Sequence, residues 1–264
     1  MSGIAALVDR LVAEVSGPTD RAEVDDVLRA EGHRRVVQDD RTPLHLPAPA
    51  ATPIDRCRLV GLADAEPGTV GRWSEVSAVA LSWGRVLYRT ARAVGGPIVE
   101  IGTGSGVSAA YLALGLARRG SGGDVVTIEA ADVLAQRGPI NLAASGIDGV
   151  TVIQGDQLAE APAQLARRPA LLHIDSDHAH ASTRALLQLV ARHVEDVTVV
   201  GLDDIRWSDG MERLWDEATA GGFATSGAID LGLWGLLVLT PTGSAPVVRR
   251  TVDAPHGIAG HPGR

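Results

Sequence analysis

The stretch Val99-Glu100-Ile101-Gly102-Thr103-Gly104-Ser105-Gly106 decides the fold, because an apolar run ends in an acid and three alternating glycines follow before Val107 opens a helical pattern. Glycines at such a turn let the backbone take positive φ and approach a ligand without a Cβ in the way, and the following helix offers free N–H groups. The pattern predicts a nucleotide-binding loop made by Gly102, Thr103, Gly104 and Ser105. The dinucleotide spacing G-x-G-x-x-G would need its third glycine where Val107 stands, so a pyrophosphate cradle fails and a nicotinamide oxidoreductase is the weakest reading. The acid Glu100 suits a ligand that carries an ammonium group and no phosphates.

Outward from this loop the chain alternates in βα units, which force a parallel sheet with right-handed crossovers. Strands are predicted at 97–102, 124–129, 150–154, 170–175 and 197–203, and helices near 106–118, 131–145, 157–167, 179–193 and 210–220. Two further strands, near 223–229 and 234–240, lie too close together to hold a helix between them. Upstream, Ile4, Leu7, Val8, Leu11, Val12 and Val15 keep the spacing of an amphipathic helix that Gly17-Pro18 stops. A second helix is predicted from about Arg21 to Ala30. The prolines at 43, 47, 49 and 53 predict an extended linker or a loop over a pocket. A long helix is predicted from Trp73 to Val94. The expected organisation is an N-terminal helical extension and proline-rich loop over 1–70, serving as lid or dimer contact, a cofactor-binding domain over 71–242, and a tail over 243–264 without function.

The chain of 264 residues is 45% hydrophobic, enough for one large α/β domain with a small appendage. A net charge of −8 argues against a nucleic-acid or anionic-membrane partner. The single Cys57 fits a reducing compartment, and no run approaches the ~18 apolar residues of a membrane span, so a cytoplasmic protein without a signal peptide is expected. All 24 basic residues are arginine, so lysine chemistry is excluded and a general base must be His, Asp, Glu, Tyr or water.

The loop Glu100 to Gly106 resembles the first motif of class I S-adenosylmethionine-dependent methyltransferases. The resemblance implies a doubly wound, mostly parallel, seven-stranded Rossmann-like sheet whose last strand is antiparallel, and S-adenosyl-L-methionine as cofactor. Glu129 ends the second strand, where a carboxylate can accept both ribose hydroxyls. Gln154-Gly155-Asp156-Gln157 resembles the family's adenine-binding turn, so Asp156 or Gln157 is expected to accept from the adenine amino group, unless Asp156 only caps the helix that follows.

Strands four and five end in Leu171-Leu172-His173-Ile174-Asp175-Ser176-Asp177-His178 and Gly201-Leu202-Asp203-Asp204-Ile205-Arg206-Trp207. Adjacent strands lie ~4.8 Å apart, so Asp175, Asp203 and Asp204 are expected at one point, where either one is protonated or a hard cation (Mg²⁺, Mn²⁺ or Ca²⁺) sits among them. Here the chain resembles metal-dependent O-methyltransferases of the catechol and caffeoyl-coenzyme A type, over roughly residues 70 to 240. Their pattern is an Asp ending strand four and an Asp-Asn pair ending strand five, then a turn with Trp and Gly, here Trp207 and Gly210. Two positions depart from it: Asp204 stands for Asn, and His178 stands for the catechol enzyme's lysine base. The histidine is also similar to that of metal-dependent sugar O-methyltransferases of antibiotic pathways. A neutral imidazole can take a proton from an acceptor hydroxyl, so His178 is expected as base, with a helix cap at Asp177-His178 as the plain alternative. His173 is expected in the core. The expected acceptor is a small hydroxylated molecule. The alternatives are a metal-free methyltransferase, a cofactor-binding relative with a different reaction, and a non-catalytic module using Ile4 to Val15 as its partner face.

Overall fold

The computed structural model describes residues 2–44, 68–243 and 246–252. Most of the proline-rich loop, including Pro47, Pro49 and Pro53, lies outside the described residues. Two N-terminal helices, α1 (Ser2–Ser16) and α2 (Arg21–Gln38), are followed by α3 (Val70–Ser77) and α4 (Leu81–Val94). The βα units then run β1 (Ile98–Ile101), α5 (Val107–Arg119), β2 (Val125–Glu129), α6 (Asp132–Ala144), β3 (Val150–Gln154), α7 (Gln157–Leu165), β4 (Leu171–Ile174), α8 (His180–His193), β5 (Thr198–Leu202) and α9 (Asp209–Thr219). Three strands close the sheet: β6 (Thr225–Asp230), β7 (Gly235–Leu239) and β8 (Val248–Thr251).

The sheet has eight strands in the order β3-β2-β1-β4-β5-β7-β6-β8, and only β7 runs against the rest. The seventh strand is antiparallel as expected, and one expectation changes: the segment after 242, read as a tail, supplies an eighth strand, β8, beside β6. Val248 and Val252 pack against the core, and the Arg250 Nε donates to Asp9 of α1 at 2.8 Å, so this stretch is held despite its lack of apolar period.

Both faces are covered, which is why the central strands read as continuous apolar runs. Ile98, Leu171 and Val199 point to the side of α1, α4 and α5, while Val99, Leu172 and Val200 point to the side of α7, α8 and α9. The α1 stripe is used inside the chain: Val8, Leu11 and Val15 are buried in that core. α2 runs to Gln38, eight residues beyond the expected end at Ala30, because Val27, Ala30, His33 and Val37 bury a continuous face.

The helix expected from Trp73 to Val94 is two helices. Ala78 and Ala80 are extended, with ψ of 140° and 154°. The freed Val79 carbonyl accepts from Arg34 Nη2 at 2.6 Å, so α2 satisfies the broken turn.

The strand order reverses between β1 and β4, and the crevice at such a switch point is where an open α/β sheet binds its ligand. β4 pairs with both β1 and β5, with Ile101 opposite Ile174 and Ile174 opposite Leu202. The residues that follow these three positions therefore emerge side by side.

Candidate active site

β1 delivers the glycine loop to the crevice. Gly102, Gly104 and Gly106 all take positive φ, at 96°, 52° and 83°. Gly102 is obligatory for packing as well, since a Cβ there would stand 1.8 Å from the carbonyl oxygen of Asp175. The loop thus lies backbone to backbone on the end of β4. Thr103 ties it to β2 through a 2.6 Å contact between the Thr103 and Thr127 hydroxyls.

A cavity of about 480 Å³ opens over this loop. It is bordered by Gly102 to Ser105, by Glu129, by Asp156 and Gln157, and by Asp175 to His178. Glu129 is held by two amides: Gly104 N–H donates to Oε2 and Ala131 N–H to Oε1, both at 2.8 Å. Burial nonetheless raises its pKa, outweighing those two bonds. Asp156 caps α7, accepting from Leu158 and Ala159 N–H at 2.9 and 3.1 Å, so its cap role is realised while it borders the cavity. Beside it, Gln157 Oε1 is buried with no hydrogen-bond donor among the described residues.

Glu100 is placed differently from its neighbours in the motif. Its carboxyl is fully buried between Thr127 and His173 on the flanking strands and does not border the cavity. Burial pushes it up to about 8, against the opposing pull of the Ser108 and Thr127 hydroxyls. His173 is a core residue, as expected: it is 2% exposed, meets the Trp234 ring edge-on at 5.4 Å, and is driven down to about 4 by burial.

At the ends of β4 and β5, the ligating atoms of Asp175, His178 and Asp203 all lie within 4.8 Å of one another. His178 Nε2 stands 3.3 Å from Asp175 and 3.9 Å from Asp204. Asp204, expected at the same point, turns left-handed at φ 51°, is 4% exposed and faces the same imidazole nitrogen as Asp175. His178 itself has φ 51°, a conformation costly for a side chain of its size. Asp177 turns away to the start of α8, accepting from Ala179 N–H at 3.2 Å and from the Ser182 hydroxyl at 2.7 Å, while His178 faces the carboxylates. Burial alone would lower the imidazole, but the Asp175 hydrogen bond and the charges of Asp203 and Asp204 carry it up to about 9. The Trp207 ring sits 6.2 Å away, tilted by 46°.

Sequence reasoning missed the wall formed by Trp73, Ser77 and Val79, which border the same cavity. Reading Trp73 to Val94 as one helix concealed them, because the break at Ala78 to Ala80 is what turns this stretch toward the crevice.

Residues 99–205 match the model of a family described as a methyltransferase domain. No curated protein matches the chain. Among solved structures, the cofactor-bound Rv0187 from MTB is 22% identical, with a TM-score of 0.53 over 89% of this chain and 96% of its own. The O-methyltransferase TomG from Streptomyces achromogenes, involved in tomaymycin synthesis and solved with S-adenosylmethionine, is 20% identical, with a TM-score of 0.53 over 75% and 92%. The O-methyltransferase from Bacillus cereus, in complex with S-adenosylhomocysteine, is 21% identical, with a TM-score of 0.52 over 91% and 100%. With a glycine loop at the switch point and Glu129 and Gln157 beside it, the chain shares the fold of these cofactor-bound methyltransferases, and residues 99–205 are similar to the methyltransferase-domain family.

Proposed function

We propose that the chain methylates a hydroxyl of a small molecule with S-adenosylmethionine, assisted by a divalent ion. The observation that carries this reading is that Asp175 and His178, which border the cavity that also holds the glycine loop, lie with Asp203 in one cluster whose ligating atoms are within 4.8 Å of one another. The Asp175 and Asp203 carboxylates are hard oxygen donors that fit Mg²⁺, Mn²⁺ or Ca²⁺, and the imidazole beside them is kept for the proton. The bound groups would supply an electrophilic methyl and a Lewis acid that lowers the hydroxyl pKa.

The chain's own residues do the rest. Glu129 and Gln157 orient the cofactor along the strand ends, and Gly102 to Ser105 admit it without a side chain in the way. Asp175 and Asp203 hold the ion, with Asp204 adding negative charge beside them. His178 accepts the acceptor's proton at Nε2, the atom that faces both Asp175 and Asp204. Trp73, Ser77 and Val79 shield the cavity from water, so positioning and deprotonation supply most of the acceleration. Among the described residues no helix is long and apolar enough to cross a membrane. The single cysteine fits a cytoplasmic enzyme, and the acceptor we favour is a catechol, phenol or sugar-type product of secondary metabolism.

The test combines methyl transfer from labelled cofactor to a panel of such hydroxyls with calorimetric titration of Mg²⁺ and Mn²⁺ into protein saturated with S-adenosylhomocysteine. Asp203→Ala is expected to lose metal binding and at least ~100-fold in kcat while keeping its affinity for S-adenosylhomocysteine. Turnover without metal binding in the wild type would leave the metal-free mechanism through His178.

A further inference from the structure

Between the N-terminal helices and the methyltransferase domain lies a small apolar cluster of its own, formed by Val37, Leu44, Val70, Trp73 and Leu134. Its position is unusual. Leu134 belongs to the start of α6, on one side of the cofactor cavity, and Trp73 reaches across to the other side, where the glycine loop lies. A Cβ built on Gly104 would stand 2.9 Å from the Trp73 ring, so the indole rests on the bare Cα of the central glycine. The next residue adds a polar tie: the Ser74 hydroxyl donates to the Ser105 hydroxyl at 3.2 Å in a buried contact.

Trp73 is 9% exposed, and its indole N–H is buried with no acceptor among the described residues. A group of this size kept against a glycine loop at the cost of an unsatisfied donor points to a role other than filling space. α3 is also firmly placed. Its first N–H groups are bound by the end of α2, with Val70 N–H donating to Thr42 and Gly71 N–H to Asp40, both at 2.9 Å. Asp40 in turn accepts from Arg137 Nε at 2.8 Å and from Asn141 Nδ2 at 2.9 Å, both on α6. The segment that carries Trp73 is therefore fastened to the same helix whose first turn borders the cavity.

We propose that Trp73 is a cofactor-positioning residue: its ring, with Ser74, fixes Gly104 and Ser105 in the shape that grips S-adenosylmethionine, so α3 sets cofactor affinity. This rests on the cofactor assignment above. The indole plane against Gly104 and the Ser74 hydroxyl on Ser105 restrict the loop backbone. Binding then takes place on a surface that is already ordered, and the affinity rises by the ordering cost that is avoided.

Calorimetric titration of S-adenosylhomocysteine into the full chain tests this. Trp73→Ala is expected to raise Kd about tenfold, and Trp73→Phe, which keeps a ring over Gly104, to stay within about threefold of the wild type. Val37→Ala serves as control: it opens the same apolar cluster away from the cavity and is expected to lower Tm without changing Kd. A wild-type Kd in Trp73→Ala overturns the proposal, as does an equal rise in Val37→Ala, which would make the effect one of general support. If Trp73→Ala does not fold, Ser74→Ala removes only the hydroxyl tie and is expected to raise Kd two- to fivefold, roughly one lost neutral hydrogen bond; an unchanged Kd there overturns the proposal. A wild type that fails to bind S-adenosylhomocysteine at all would instead refute the cofactor assignment.

Discussion

Gly102 holds φ at 96° where any side chain would run into the Asp175 carbonyl, so Gly102→Ala is strained twice, by conformation and by contact. It is expected to cost at least ~2 kcal/mol in urea unfolding, beyond the range of ordinary surface substitutions. His33 gives a second expectation at this scale. It is fully buried against the Ser145 hydroxyl at 2.9 Å, and burial drives it down to about 4 from 6.5. The unfolded chain therefore takes up a proton before the folded one does, and stability is full above pH ~6.5 and falls as the pH drops toward 4, by at most about 1.4 kcal/mol per unit. Glu100 has the opposite sign, because a carboxyl raised to about 8 costs stability as the pH climbs from 4.5. The difference between wild type and His33→Gln in urea titrations from pH 7 to pH 4.5 isolates the histidine; parallel curves would refute its buried neutral state. Asp175 and Asp203 were legible as partners because Ile174 and Leu202, the ends of β4 and β5, pair opposite each other. That the His178 imidazole comes within reach of both was not legible in detail, since His178 and Asp204 are left-handed residues that no period or spacing announces.

At the scale of elements, the alternation of strand and helix was legible throughout β1 to α9, because each strand is an apolar run closed by glycine or an acid. The break between α3 and α4 was not. Apolar positions continue in phase through it, and only the Arg34 side chain, from another helix, makes the open turn tolerable. The break has a direct test in Leu81→Pro. Leu81 is 47% exposed and opens α4 after an extended Ala80, a position where proline is pre-organised. The substitution is expected to leave Tm unchanged or slightly raised, whereas proline inside one continuous helix would cost about 3 kcal/mol.

For the whole molecule, the sheet does not end where the βα pattern does. β8 covers the edge of β6 and contacts α1, with Arg250 reaching Asp9, so the first helix and the last described strand meet on one flank. Removing residues 243–264 is expected to cost about 1 kcal/mol or more and to leave β6 as a bare edge prone to self-association, measured by urea titration and sedimentation. An unchanged stability would restore the reading of an inert tail. Composition could not reveal this strand, since its residues are half to fully exposed and carry no apolar alternation.

The contact of Gly102 with Asp175 also bears on how such proteins are recombined. A glycine loop and a carboxylate–imidazole cluster that share a backbone interface are not separable modules, and a chimaera that exchanges the loop alone inherits a mismatch of ångströms at that cluster. The smallest cassette that can be exchanged between relatives without that error runs from Ile98 to His178, taking both strands and everything that joins them.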